Sequence, residues 1–174
     1  MKMKTMKVIF SALLLSLGMY SANAQIAENA LGVRLSGGDD DFGIGPEVSW
    51  QHALGDNNRL EMNLGFRNST YYDAAKFTML YHWVWNIEGG FNWYAGLGAG
   101  VGYVDYDDRG PWYDDDYDGP ENLLLTGAGN VGIEYNFPFP MQLALDLRPE
   151  AYFLPGYFDG FEPNVGFSIR YLFQ

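Results

Sequence analysis

The chain has 174 residues, no cysteine and a formal net charge of −12, from 22 acidic and 10 basic side chains. Without cysteine there is no disulfide framework, no thiolate metal site and no lipid anchor of the kind that needs a cysteine at its cleavage point. So large an acidic excess repels phosphate backbones, which argues against nucleic acid as a partner.

Lys2, Lys4 and Lys7 open the chain, and an apolar run follows over 8–19. Ala22-Asn23-Ala24 then forms a small-residue cleavage signature. The run is shorter than the roughly 20 apolar residues a spanning helix needs. The pattern predicts a secretory signal over 1–24, cut before Gln25. Its three lysines gone, the formal charge moves from −12 to −15. Residues 25–174 read as one domain with no linker and no exact repeat, and no stretch of it is long enough for a transmembrane helix.

From there the sequence alternates at period two, the signature of strands exposed differently on their two faces. Eight strands are predicted, at 29–37, 42–53, 58–68, 75–87, 90–105, 122–136, 141–151 and 164–173, most near the roughly 9–11 residues a tilted membrane strand requires. Strand two sets Val48 and Trp50 against Glu47, Ser49 and Gln51. Strand three sets Leu60, Met62, Leu64 and Phe66 against Arg59, Glu61, Asn63 and Arg67. Strand five opposes Trp93, Leu97, Val101 and Tyr103 to four alternate glycines, Gly96 to Gly102. Strand six opposes Val131, Ile133 and Tyr135 to Asn130, Gly132 and Glu134. In strand seven Leu143, Leu145 and Leu147 oppose Asp146, Arg148 and Glu150. In strand eight Phe167, Ile169, Tyr171 and Phe173 oppose Gly166, Ser168 and Arg170.

The connections alternate as well. LGDN (54–57), IEGG (87–90) and FPFP (137–140) are tight turns. The acidic link GDDD (38–41) is short, 69–74 and 154–163 are longer, and 106–121 is the longest. Short turns at one end and longer loops at the other are the pattern of an outer-membrane barrel.

Two barrels could carry such alternation. A soluble ligand-binding barrel turns apolar side chains inward; a membrane barrel turns them outward. Eight strands enclose room for their own side chains or one small ligand. The apolar face, rich in Trp, Tyr, Phe and Leu, overfills that space, whereas the polar face with its glycines fits. Arg34, Arg59, Arg67, Lys76, Arg148 and Arg170 all lie on the polar face, together with Glu47, Glu61, Glu134, Asp146 and Glu150; Arg109 alone of the basic residues after the signal falls in a loop. Facing lipid, each basic residue would cost about 2–4 kcal/mol at the midplane. Facing inward, the two signs can pair. Aromatic residues gather in two bands, Trp83, Trp85, Phe91, Trp93, Tyr135 and Phe173 among those at the turn side, Tyr71, Tyr72, Tyr103, Tyr106 and Tyr152 at the loop side. Two bands mark two membrane interfaces. The predicted fold class is therefore all-β, an antiparallel up-and-down transmembrane β-barrel of eight strands.

Over 25–174 the chain resembles the small eight-stranded outer-membrane barrels of the outer-membrane protein A and X types. The resemblance rests on the export signature, the turn-and-loop alternation and the ending GFSIRYLFQ (166–174), which is similar to their C-terminal assembly signal; here Phe173 is penultimate and Gln174 follows. It implies the outer membrane of a Gram-negative-type cell, contact with its lipids and lipopolysaccharide, and insertion by the barrel-assembly machinery through the last strand. One fold of this kind hosts many activities, so it implies no single one.

Three chemistries are open to a barrel of this size. A lipid-A-modifying enzyme needs a nucleophile with His and an acid near the outer leaflet. His52 lies beside the first turn and His82 on the polar face of strand four, with no serine two positions from either. An open pore is excluded by strand number, since eight strands fill their own lumen. The acidic loops remain: Asp39, Asp40 and Asp41 in the first, and a D-x-D-x-D-G run at 114–119 in the third. Alternate carboxylates followed by glycine open calcium loops, although the twelfth position, where an EF-hand carries its bidentate Glu, is Leu125 here. The expected site is Asp114, Asp116, Asp118 and Glu121 binding calcium weakly, with no other cofactor. The leading expectation is a non-enzymatic integral outer-membrane protein supporting the envelope or presenting its acidic loops; the alternatives are the lipid-A enzyme and the soluble ligand-binding barrel.

Overall fold

The computed structural model describes residues 26–37, 45–68, 72–106, 123–152 and 161–173. They form eight strands: β1 (Asn29–Gly37), β2 (Pro46–Ala53), β3 (Asn58–Asn68), β4 (Tyr72–Glu88), β5 (Phe91–Tyr106), β6 (Leu123–Asn136), β7 (Met141–Tyr152) and β8 (Phe161–Phe173). Each strand pairs antiparallel with its sequence neighbour, and β1 closes on β8. Closure leaves no unpaired edge, which matters because a backbone amide facing hydrocarbon has no water to bond.

The register sets like against like on each face. Val33 sits between Val48 and Ile169, and Arg34 between Glu47 and Ser168. The strand order, number and facing are those expected. Bounds differ at the loop end. β4 begins at Tyr72 rather than 75, where Asp73 pairs with Asn68 and Asn68 Nδ2 donates to its carboxylate at 2.6 Å. β8 begins at Phe161 rather than 164, running through Pro163 opposite Pro149. Proline cannot donate to a ladder. Pro149 falls where a donor is dispensable, because β6–β7 pairing skips from Ala128↔Glu150 to Val131↔Leu147 around it.

At the other end lie the turns 54–57, 89–90 and 137–140. Gly89 has φ +55°, a left-handed conformation that needs no Cβ. Gly90 has its carbonyl accepting from Asn136 N at 2.8 Å, and a Cβ there would strike the Asn136 carbonyl. Asn86 Nδ2 ties this hairpin by donating to the Gly89 and Phe91 carbonyls, both at 3.1 Å. Leu54 N donates to Asn58 O at 2.8 Å and Phe137 N to Met141 O at 3.0 Å, closing the other two turns.

Candidate functional site

The outer wall is apolar. Leu31, Val33 and Leu35 on β1, Leu97 on β5, Leu145 on β7 and Val165, Phe167 and Ile169 on β8 are all exposed, Leu97 at 64%. A soluble barrel would have buried them, so the ligand-binding alternative is overturned; the apolar face is turned to lipid and the fold is a transmembrane β-barrel. Aromatic rings pack side by side at the turn end of this wall. Trp85 stacks on Trp93 with centroids 4.2 Å apart, Phe91 lies 4.5 Å from Tyr135, and Phe137 bridges Tyr135 and Phe139 at 4.8 and 5.0 Å. At the loop end Phe66, Tyr103 and Phe161 are exposed on the same wall.

The lumen is filled with charge, in two layers. The layer nearer the loop end is a chain of alternating signs. Lys76 Nζ meets Glu150 at 2.6 Å; Arg148 contacts Glu150 at 3.4 Å; Arg148 also grips Glu47 with both Nη atoms. Glu47 meets Arg34 at 3.4 Å, and Arg34 closes on Asp146 at 2.6 Å with its Nε also donating to that carboxylate. Asn130 and Asn164 add bonds to Asp146 and Arg34, both at 3.1 Å. Four strands, β1, β2, β4 and β7, are tied across the lumen by six side chains.

The layer nearer the turns is built on Arg59. Its two Nη atoms donate to Glu134 at 3.0 and 2.7 Å, a planar fork onto a carboxylate. Its guanidinium lies 4.8 Å from the centroid of the Tyr94 ring, and its Nε donates to His82 Nδ1 at 3.3 Å. That bond engages the Nδ1 lone pair of the ring. Glu61 accepts from Gln51 at 2.6 Å and Asn63 at 3.0 Å and pairs with Arg170 at 3.1 Å. Arg170 also donates to Ser49 at 2.9 Å and Gln142 at 3.2 Å.

Among the described residues the buried charges balance. Arg34, Arg59, Lys76, Arg148 and Arg170 stand against Glu47, Glu61, Glu134, Asp146 and Glu150. An isolated charge in such a place is very costly, so a filled lumen must be neutral. The glycines of β5 make room for this. A Cβ on Gly96 would strike the His82 ring, and one on Gly100 would come within 2.6 Å of Thr126 Oγ1.

The expected polar-face residues thus meet in one lumen, with Arg67 only half-buried near the loop end. His82 is fully buried, and His52 bonds Asn29 at 3.0 Å at the turn end. Asp114, Asp116, Asp118 and Glu121, like the acidic first loop, lie outside the described residues. Sequence reading missed the apolar members of the inward face: Leu80, Val84, Tyr94, Val104 and Leu124. Their inward parity was there to be seen, but single apolar residues on a polar face read as noise.

No protein-family profile and no curated protein sequence matches the chain. Solved structures do. The N-terminal β-barrel domain of Pseudomonas aeruginosa OprF has a TM-score of 0.61 at 15% identity, covering 85% of this chain and 100% of that one. Neisserial surface protein A scores 0.57 at 10% identity, covering 83% and 94%. A de novo designed transmembrane β-barrel scores 0.55 at 12% identity, covering 85% and 98%. At these identities the likeness is one of fold: the chain has the fold of the small eight-stranded transmembrane barrels.

Proposed function

We propose that the protein is an integral outer-membrane barrel, exported through a cleaved signal over residues 1–24, that acts as a non-enzymatic scaffold presenting its loop end at the cell surface or supporting the envelope. The observation that carries this reading is the filled, charge-balanced lumen inside an apolar wall. Such a barrel offers lipid a surface and offers solutes no path, so what remains free to interact is its ends. Loops on a rigid scaffold commonly hold binding residues. Both neighbouring natural structures are barrels of this size, one of them called a surface protein. Neither histidine lies at the loop end, which leaves the lipid-A enzyme without support among the described residues.

The test is in cells. Detergent-dependent extraction with the outer-membrane fraction, heat-modifiable gel migration and protease cutting of intact cells within 107–122 are the expected results. A change in lipid-A mass spectra on deletion of the gene would replace the scaffold with an enzyme. Recovery in aqueous periplasmic extract would refute the location.

A further inference from the structure

The N-terminal residues ahead of β1 do not simply lead into the wall. Glu28 O accepts from Ala53 N at 2.9 Å, which carries the β1–β2 register one step past Asn29↔His52. Ile26 has the same parity as Ala30 and Arg34, the inward one. It sits against Val84 and Tyr94, which face each other across the β4–β5 ladder and are 0% and 1% exposed. Val84 N in turn donates to Asn57 O at 2.8 Å, tying this socket to the 54–57 turn. In a lumen lined near this end largely by amides and ions, a large apolar pair that receives an apolar side chain from the residues ahead of β1 is out of pattern. Directly beyond it stand the groups that most need a dry surrounding: Tyr94 lies under Arg59 and 4.8 Å from the His82 ring.

We propose that residues 26–28 form a strap that closes the turn end of the lumen, with Ile26 as a stopper seated on Val84 and Tyr94. The strap keeps water and ions from the Arg59–Glu134 layer. It can open without unstitching the barrel, because its one ladder bond among the described residues, Glu28 O to Ala53 N, lies outside the strand pairs. This goes beyond the display of loops at the opposite end and does not depend on what those loops bind.

The chain lacks cysteine, so a single introduced thiol reports alone. The experiment places Val84→Cys in the full chain, folded in detergent, and follows its reaction with a membrane-impermeant thiol reagent. With Ile26 intact the thiol reacts slowly. Adding Ile26→Gly removes the seated side chain and speeds labelling by about tenfold, through more frequent local opening. Ile26→Leu, which keeps the apolar contact, restores slow labelling. Heat-modifiable migration checks that each variant is a folded barrel; should Ile26→Gly fail that check, Ile26→Ala takes its place. Equal labelling with and without the side chain at 26, or fast labelling in the Ile26-intact protein, overturns the strap. Loss of membrane location would instead sink the scaffold reading and leave this one standing.

Discussion

Arg59→Met is the sharpest perturbation of the lumen. Arg59 gives two bonds to Glu134, at 3.0 and 2.7 Å, and both side chains are 1% exposed. Once it is removed, Glu134 keeps, among the described residues, only the amide of Asn92, at 3.2 Å. Breaking a buried pair by deleting one partner costs about 3–5 kcal/mol, because the other charge is left uncompensated. With a urea slope of about 1–3 kcal/mol per molar, the unfolding midpoint falls by about 2 M. Adding Glu134→Gln removes the stranded charge and should recover half or more of that loss. Recovery stays incomplete, since the Arg59 contact with Tyr94, worth up to about 2 kcal/mol in a desolvated site, is not restored. The assay is urea unfolding in lipid vesicles, followed by tryptophan emission and gel mobility. A double variant that loses as much as the sum of the two singles would show no coupling and would refute the pairing across 75 residues of sequence.

In the other layer Arg148→Ala should cost less than Arg59→Met, because Glu47 keeps Arg34 at 3.4 Å and Glu150 keeps Lys76 at 2.6 Å; an equal or larger loss in the same titration contradicts the shared network. Leu97→Arg puts a charge on the exposed wall near the middle of β5, and vesicle refolding should show a loss of about 2–4 kcal/mol, with full tolerance counting against a lipid-facing Leu97. Gly98→Ala drives a Cβ into the Met79 carbonyl, with Leu80 Cα only 2.8 Å away, and should cost about 1–3 kcal/mol; Gly129→Ala meets only Pro149 Cγ at 3.4 Å and should be nearly neutral. Calorimetry with calcium should detect binding in the range of about 10⁻⁴–10⁻³ M, abolished by Asp→Asn at Asp114, Asp116 and Asp118; heat unchanged by that triple substitution removes the site.

The faces of the strands were legible because a bilayer makes the rule strict: on this wall a charge is penalised at almost every position, so Arg34, Arg59, Lys76, Arg148 and Arg170 could be placed inward from parity alone. Who pairs with whom was not legible. Arg59 meets Glu134 and Arg34 meets Asp146 across the lumen, and those meetings depend on the stagger between strands, which period-two alternation leaves open. The early starts of β4 and β8 were hidden for a related reason. Tyr72-Asp73-Ala74 and Glu162-Pro163 look like loop by composition, and only the pairing of Asp73 with Asn68 and Asp105, and of Pro163 with Pro149, draws them into the sheet.

The balance of charge in the lumen also constrains how such a barrel can vary. Each buried arginine is held by carboxylates from other strands, so a change to one of them requires a change to its partner. The ends are not bound by this coupling: β4 and β5, at 17 and 16 residues, exceed the roughly 9–11 that span a membrane, and they carry the chain outward toward 107–122. That segment holds Trp112 and Tyr113 beside its run of aspartates. With apolar side chains on the wall and paired charges in the lumen, the role proposed above falls to the loop end, whose chemistry a partner would set.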